Sequence, residues 1–159
     1  MPVLMRFSER SDLSAVREFG RRVVVPFYES LINLDYGETI WRQYWGSDLQ
    51  EDAIAEHRVL LAEAGDRIVG VTEFGEYEGE PVMWKLYVSP DERRRGIGRM
   101  LVQGVGDAVA GHGVSSLLVE HPSENGDAGR FYDSLGFAVA WVDKGDGPGG
   151  TTVWRRKKL

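Results

Sequence analysis

Three patterns in the sequence predict an α/β (α+β) fold, with a mixed central sheet of about seven strands and helices on both faces. Apolar residues recur at helical spacing through most of residues 1–57. From Arg58 the spacing changes to short apolar runs separated by turn residues, which indicates an antiparallel meander. The second half alternates strand, helix, strand, helix and strand, which indicates helical crossovers. Because no repeat or linker interrupts the chain, residues 1–159 are expected to form one domain.

The first 57 residues predict one short strand followed by helices. The strand covers 3–7, and Ser11-Asp12 has the capping chemistry that begins a helix over about 12–24. Pro26 is expected to interrupt this helix, with a further helical turn after it. Residues 36–45 then carry aromatic side chains at helical spacing, which either line a pocket or fill a core.

The meander and the alternating half complete the predicted sheet. Gly65-Asp66 and the longer break from Glu78 to Pro81 separate the first strands, and Gly136 is a left-handed end for the last helix. A glycine-rich loop over 145–150 joins the final hairpin. The predicted strands are 59–62, 68–74, 82–88, 116–120, 137–142 and 151–155, and the predicted helices are 98–110 and 127–135.

Composition excludes several classes of function. The chain has no cysteine, which rules out disulfides and a cysteinyl acyl-enzyme, and His57, His112 and His121 stand singly, so no metal site is expected. A net charge of -6 argues against a nucleic-acid partner. No apolar run reaches the ~18 to 20 residues that span a bilayer, so no membrane partner is expected and the expected location is cytoplasmic.

A loop rich in arginine and glycine follows the third meander strand and opens the next helix. Backbone N–H groups at such a helix start converge on one place, and phosphate oxygens are their natural partner. A Walker loop is excluded because Gly98 is followed by Arg99-Met100, and a dinucleotide fingerprint is excluded because Leu101 stands where it needs glycine. The loop consists of Arg93, Arg94, Arg95, Gly96, Ile97 and Gly98, with Arg99 next to it.

This loop resembles the pyrophosphate loop of the GNAT superfamily of N-acetyltransferases, which has the pattern Gln/Arg-x-x-Gly-x-Gly/Ala. The segment from Asn125 to Phe137 is similar to the second signature of that family, N-x-x-A-x-x-F-Y-x-x-x-G-F. The resemblance covers about 59–137. It implies a substrate lobe over 1–57, an acetyl-CoA-binding core over 58–137 and C-terminal strands over 138–159, with a splay between the fourth and fifth strands.

The resemblance also implies roles for individual residues. Backbone groups of the strand that holds Leu86, Tyr87 and Val88 would pair with the pantetheine arm of acetyl-CoA. Tyr132 falls on the family position that protonates the leaving thiolate, and it also contacts the coenzyme. Further coenzyme contacts are expected from the anion-binding loop and from Asn125, Ala128 and Arg130.

The general base is left open by the sequence. Many relatives carry a glutamate two residues before the Leu-Tyr-Val strand end, but Trp84 stands there in this chain. Glu73 and Glu120 are the remaining candidates, each acting through water. An apolar or cation–π wall for the amine is expected from Tyr28, Tyr36, Trp41 and Trp84.

The function expected from these observations is acetyl-CoA-dependent N-acetylation of a small primary amine by direct attack in a ternary complex. The alternatives are acetylation of a protein N-terminus or lysine, and a non-catalytic acyl-CoA-binding module. The acceptor cannot be named, because residues 1–57 carry no motif. The oligomeric state is also open, although the resemblance admits a homodimer.

Overall fold

Seven strands form one sheet in the computed structural model of the protein, which describes residues 1–111 and 113–159. His112 therefore lies outside the described residues. The strands are β1 Val3–Phe7, β2 Val59–Ala64, β3 Arg67–Tyr77, β4 Glu80–Val88, β5 Ser116–Pro122, β6 Ala138–Asp143 and β7 Thr152–Lys158. The helices are α1 Leu13–Phe19, α2 Val25–Leu31, α3 Leu34–Tyr44, α4 Asp48–Ala55, α5 Ile97–Val109 and α6 Gly126–Ser134.

The sheet has the order β1-β2-β3-β4-β5-β7-β6 and is mixed, as the sequence predicts. Strands β1 to β4 form an antiparallel meander, and β7 lies between β5 and β6, antiparallel to both. In the part of the chain that the structure describes, β4 and β5 pair in parallel only at Val82↔Leu118 and Met83↔Val119. Beyond Met83 the two strands diverge, which confirms the predicted splay.

A β-bulge at Trp84 accounts for the position of the splay. Glu73 lies opposite Lys85 whereas Phe74 lies opposite Met83, so Trp84 is one extra residue on β4. A bulge bends its strand and increases the local twist. Because the bulge follows directly on Met83, β4 leaves β5 there and keeps unpaired backbone groups on its β5 side.

Helices cover both faces of the sheet, as predicted. Helices α5 and α6 pack on one face, where Leu101, Val105 and Phe137 are fully buried. Helices α1, α2 and α4 pack on the other face around Phe19, Trp45 and other buried side chains. The gap between β4 and β5 therefore opens between two packed layers.

The predicted interruption of the first helix at Pro26 is wrong. The helical chain continues from α1 through a π-helical turn, Gly20–Val24, into α2. The Val25 N–H donates to the Gly20 carbonyl five residues back. A π-helical turn widens the backbone just where the proline ring would otherwise contact the preceding turn, so the helix passes Pro26 without ending.

Helix α4 is a feature that the sequence reading missed. Ser47 caps it, and its side chain accepts from the Leu49 N–H at 3.3 Å. The pattern Ser47-x-x-Gln50 is the S/T-x-x-E/Q signature of a helix start, and it could have revealed the helix. Gln50, in the first turn, is fully buried and reaches the sheet.

Two other boundaries differ from expectation. The break before β4 is only a two-residue turn, because Glu78 and Gly79 both have positive φ, 51° and 82°, as a tight hairpin turn requires. Strand β7 extends to Lys158 rather than Arg155, because it pairs along the whole of β5. The four consecutive basic residues 155–158 therefore lie within the sheet.

Candidate active site

A cavity of about 590 Å³ opens at the splay between β4 and β5. One part of its wall comes from the coenzyme-binding half that the sequence predicts, and another part comes from α2 and α3. Its lining includes Tyr28, Tyr36, Ile40, Tyr44, Trp45, Leu49, Arg58, Glu73, Trp84, Lys85, Leu86, Tyr87, Glu120, His121, Pro122, Asn125, Ala128, Tyr132 and Thr152. The fold thus brings the candidate acid, both candidate bases and three of the four predicted amine-contacting aromatics to one cavity.

Tyr132 reaches the cavity from α6 and is only 7% exposed. Its ring packs edge-on against Phe137, with ring centroids 5.5 Å apart. Burial raises the pKa of Tyr132 well above the ordinary value of a tyrosine, and neighbouring Tyr28 and Glu120 raise it further. The hydroxyl therefore stays protonated and is available as a donor.

The start of α6 is fixed by Asn125, whose side chain accepts from the Ala128 N–H at 3.1 Å. This hydrogen bond is an N-cap of α6. Both residues line the cavity. Arg130 lies on the exposed side of the same helix and pairs with Asp127.

Glu73 lies in the cavity wall as part of a buried ion pair. Its Oε1 is 3.0 Å from the Lys85 Nζ and accepts from the Gln50 Nε2 at 3.1 Å. Lys85 also donates to the Gln50 Oε1 and to the Tyr44 carbonyl. Burial lowers the pKa of Lys85, and the Glu73 charge opposes that shift. The Glu73 charge is therefore already compensated inside the protein.

Glu120 differs from Glu73 in this respect. It lies on β5 at the open side of the splay, and its side chain makes no hydrogen bond or ion pair within the described residues. Burial raises the pKa of Glu120. A carboxylate that lacks a partner and has a raised pKa holds a proton more readily than an ordinary glutamate, which suits it to act as a base.

An aromatic wall closes the side of the cavity that faces α2 and α3. The Tyr28 and Tyr87 hydroxyls lie 2.9 Å apart, and Tyr36 packs edge-on against Tyr28 at 5.2 Å. Burial raises the pKa of Tyr28 to about 12, although its hydrogen bond to Tyr87 acts in the opposite direction. These tyrosines therefore line this side of the cavity with uncharged surfaces.

Trp84 and Trp41 have different surroundings. Trp84 lines the cavity and packs edge-on against Trp154, with centroids 5.9 Å apart. Trp41, predicted to contact the amine, is absent from the cavity wall that the structure describes. Its Nε1 donates to the Arg17 carbonyl at 3.0 Å, and the Arg21 guanidinium lies 3.9 Å from its ring centroid. Helical spacing alone does not distinguish the face of α3 toward α1 from the face toward the cavity.

The glycine-rich hairpin loop meets α3 at the rim of the cavity. A Cβ on Gly149 would lie 2.2 Å from the Tyr36 ring, so the loop backbone lies directly on that ring. The Gly149 N–H donates to the Glu124 Oε2 at 2.8 Å, and the Ser123 N–H donates to the Thr151 carbonyl. These contacts close the cavity beside Tyr36.

The arginine and glycine loop lies beyond the cavity wall, at the start of α5. Gly96 is the N-cap, with φ of 76°, and has no side chain to accept from the first-turn N–H groups. Those groups therefore remain available to an anion. Arg94 has a φ of 65°, Arg95 pairs with Glu92, and Arg93 lies 6.0 Å from the Phe27 ring centroid.

The residues present fit a coenzyme A pyrophosphate and pantetheine arm. The uncapped α5 start beside Arg93, Arg94 and Arg99 supplies N–H donors and positive charge. From this loop, β4 leads back into the cavity through Val88, Tyr87 and Leu86, on the stretch that no longer pairs with β5. An extended amide-bearing chain can pair with such a free strand edge.

Sequence reasoning missed several residues around the site, namely Gln50, Lys85, His121 and Arg155. Lys85 carries a detectable signal, since it is a lone charge inside the apolar run of β4. His121 and Arg155 have no such signal, because their contact joins two strands that are distant in sequence.

The described residues bring together no group of three or more His, Asp or Glu side chains that could hold a metal ion. Among the helices described, none is long and apolar enough to cross a membrane.

Residues 55–139, which are more than half of the chain, match the family model of the acetyltransferase (GNAT) domain. The [ribosomal protein bS18]-alanine N-acetyltransferase of Salmonella typhimurium is 36% identical over 83 residues, which cover 52% of this chain and 56% of that protein. The chain thus spans little more than half the length of that relative.

Two further comparisons extend over more of the chain. The L-amino acid N-acyltransferase MnaT of Escherichia coli is 24% identical over 140 residues, covering 85% of this chain and 79% of that protein. The crystal structure of PaiA N-acetyltransferase from Thermoplasma acidophilum in complex with coenzyme A has a TM-score of 0.88 at 20% identity and covers 100% of both chains. That likeness concerns the fold.

Proposed function

Because the chain belongs to the GNAT acetyltransferase family, we propose that it transfers an acetyl group from acetyl-CoA to a small primary amine. The observation that carries this proposal is the single cavity in which Tyr132, Glu120 and the aromatic wall meet at the splay. Acetyl-CoA supplies the activated acetyl thioester. The protein has to orient the amine, remove its proton and protonate the leaving sulfur.

Glu120 on β5, Tyr132 on α6 and the backbone of β4 divide this work. Glu120 takes the proton of the amine, directly or through a water molecule, because its carboxylate has no partner among the described residues. Tyr132 donates its hydroxyl proton to the leaving sulfur, because burial keeps that hydroxyl protonated. The unpaired N–H groups of β4 beyond Met83 are suited to stabilise the developing oxyanion.

A small acceptor is favoured over a polypeptide by the enclosure of the cavity. The loop over 145–150 lies on Tyr36, and Tyr36 packs against Tyr28, so loop and tyrosines together close this side of the cavity. The name of MnaT, a relative over most of the chain, gives L-amino acids as its substrates. Within this proposal, residues 1–57 form the substrate lobe and 58–137 bind the coenzyme.

Acetylation of a protein N-terminus is the second candidate, because one relative is named for the alanine of ribosomal protein bS18. Thiol release from acetyl-CoA, measured with a panel of amines, amino acids and alanine-terminated peptides, tests both candidates. We expect turnover with small amines and little with peptides. Turnover with peptides alone would replace the first proposal with the second. Calorimetric binding of acetyl-CoA without turnover on any acceptor would indicate a non-catalytic module.

A further inference from the structure

Arg155 is a charged residue of β7 that the sheet buries between β5 and α6. It is 7% exposed, whereas the next residue, Arg156, lies on the opposite face and pairs with Glu80. An arginine keeps its charge under all ordinary conditions, so a buried one has to be matched by acceptors. The acceptors that Arg155 uses all lie around Tyr132.

Arg155 binds three separate segments. Its Nε–H donates to the His121 Nε2 on β5 at 3.1 Å, and its Nη1 donates to the Asp133 Oδ1 on α6 at 2.5 Å. The same Nη1 donates to the Phe137 carbonyl, just after α6, at 3.2 Å. One guanidinium therefore fixes the helix that carries Tyr132 against the strand that carries Glu120.

His121 is held in one tautomer by these contacts. Its Nε2 accepts from Arg155, so the ring proton lies on Nδ1 and is donated to the Pro122 carbonyl at 2.8 Å. Burial, together with the Arg155 charge, lowers the pKa of His121. The ring stays neutral and nearly parallel to the Tyr132 ring, with 24° between the planes and 6.3 Å between the centroids.

Gly129 allows α6 to approach this pair. A Cβ at this position would lie 3.1 Å from the Arg155 Nη2 and 3.5 Å from the His121 Cε1. Residues 129, 132 and 133 are spaced as i, i+3 and i+4, so they share one side of α6. The turn of α6 that carries Tyr132 is thus the turn that contacts Arg155 and His121.

We propose that Arg155 and His121 are positioning residues, which hold the Tyr132 hydroxyl at the gap between β4 and β5. The inference rests on the proposed function, since it assigns the positioning to the residue that protonates the leaving sulfur. It also gives a role in the site to one of the four consecutive basic residues, 155–158, of β7. Neither side chain reacts. Both act by restricting where the Tyr132 ring lies.

The first test is a double-mutant cycle between Arg155→Met and Tyr132→Phe. We expect R155M to lower kcat roughly ten- to a hundredfold, because small displacements of a catalytic group cost that much, while calorimetry shows little change in acetyl-CoA binding. In the Y132F background R155M should have almost no further effect. The matched control is R156M, which removes the neighbouring arginine on the other face and should leave kcat unchanged.

The second test observes Tyr132 without turnover. With ¹³C-labelled tyrosine, the Tyr132 ring resonance is assigned by its loss in Y132F, and we expect R155M and H121F to shift it while R156M does not. If R155M fails to fold, R155K replaces it, because a single ammonium cannot reproduce the planar arrangement of the guanidinium donors. R155K should show the same shift and a smaller loss of kcat.

Two results would overturn the inference: equal losses from R155M in the wild-type and Y132F backgrounds, or an unmoved Tyr132 resonance in R155M. Failure of the proposed function is a separate result. A wild-type protein that releases no thiol with any acceptor would contradict the function, and the resonance experiment would still decide whether Arg155 positions Tyr132.

Discussion

At the scale of the residue, the site contains two carboxylates that the fold treats differently. Glu73 is 8% exposed and paired with Lys85, whereas Glu120 lies at the splay without a partner in the described part of the chain. Sequence reasoning could name both but could not choose between them, because the choice depends on which one Lys85 reaches. Tyr132, in contrast, is proposed as the acid from its motif alone.

Replacing Glu120 tests this choice through pH. Because burial raises the pKa of Glu120, the base is protonated at a higher pH than an ordinary glutamate, and kcat/KM should fall as the pH is lowered through that raised value. E120Q should lose roughly a hundredfold or more in kcat/KM and should lose this acidic limb. A pH profile of E73Q that lacks the limb, beside an E120Q profile that keeps it, would assign the base to Glu73 instead.

Tyr132→Phe tests the acid. The variant keeps the ring that packs against Phe137 and removes only the hydroxyl. We expect kcat to fall roughly a hundredfold, with acetyl-CoA binding nearly unchanged. Steady-state kinetics together with calorimetry measure the two effects, and unchanged turnover would exclude the acid role.

At the scale of the element, two irregular features shape the site. The bulge at Trp84 turns β4 away from β5 and thereby opens the cavity. The loop over 145–150 crosses to α3 and closes the cavity beside Tyr36. Neither feature is visible as a periodic pattern, because a bulge changes the pairing of two strands and a loop contact depends on a distant helix.

The loop contact can be isolated by comparing two glycines. Gly149 and Gly147 both have positive φ, 72° and 76°, so alanine costs about 1 kcal/mol at either position. Only at Gly149 does the new Cβ meet the Tyr36 ring, at 2.2 Å, whereas at Gly147 it meets nothing within 4 Å. We therefore expect G149A to lose a further ~1 to 3 kcal/mol in the free energy of unfolding, measured in urea.

A second variant identifies the origin of that loss. In the Y36A background, G149A should lower the free energy of unfolding by little more than G147A does, since the ring that the Cβ would meet is gone. Equal destabilisation by G147A and G149A would mean that the loop does not lie on Tyr36. The Michaelis constant of the amine should also rise in G149A, because the displaced loop no longer closes the cavity beside Tyr36.

At the scale of the whole molecule, Lys85 joins the N-terminal helices to the sheet. From β4 it reaches the Tyr44 carbonyl at the end of α3, Gln50 on α4 and Glu73 on β3, and it is 6% exposed. One side chain thus holds the predicted substrate lobe against the predicted coenzyme half. The lobe carries no motif of its own, and its position depends on such contacts.

Removing Lys85 should destabilise the whole protein. K85M leaves Glu73 charged and buried, and we expect a loss of about 3 to 5 kcal/mol in the free energy of unfolding. The exposed control K158M should change it by less than about 0.5 kcal/mol. K85M/E73M should lose less than K85M alone, because no unpaired charge remains. Urea unfolding followed by tryptophan fluorescence measures all three.

The sequence by itself determined the order of the seven strands, the two helices between the later strands and the family resemblance, and it singled out Tyr132 as the candidate acid, because these depend on local periodicity and on motifs that are contiguous in the chain. The comparisons confirm the resemblance and the mixed seven-stranded sheet. Only the tertiary structure decided that Glu73 forms an ion pair with Lys85, that Trp41 faces α1, that the helix passes Pro26 and that Arg155 is buried behind Tyr132. The passage of the helix at Pro26 rests on a local π-helical turn, which no periodic pattern reveals. The other three depend on contacts between residues far apart in sequence, and burial and pairing of charge arise only when those segments meet.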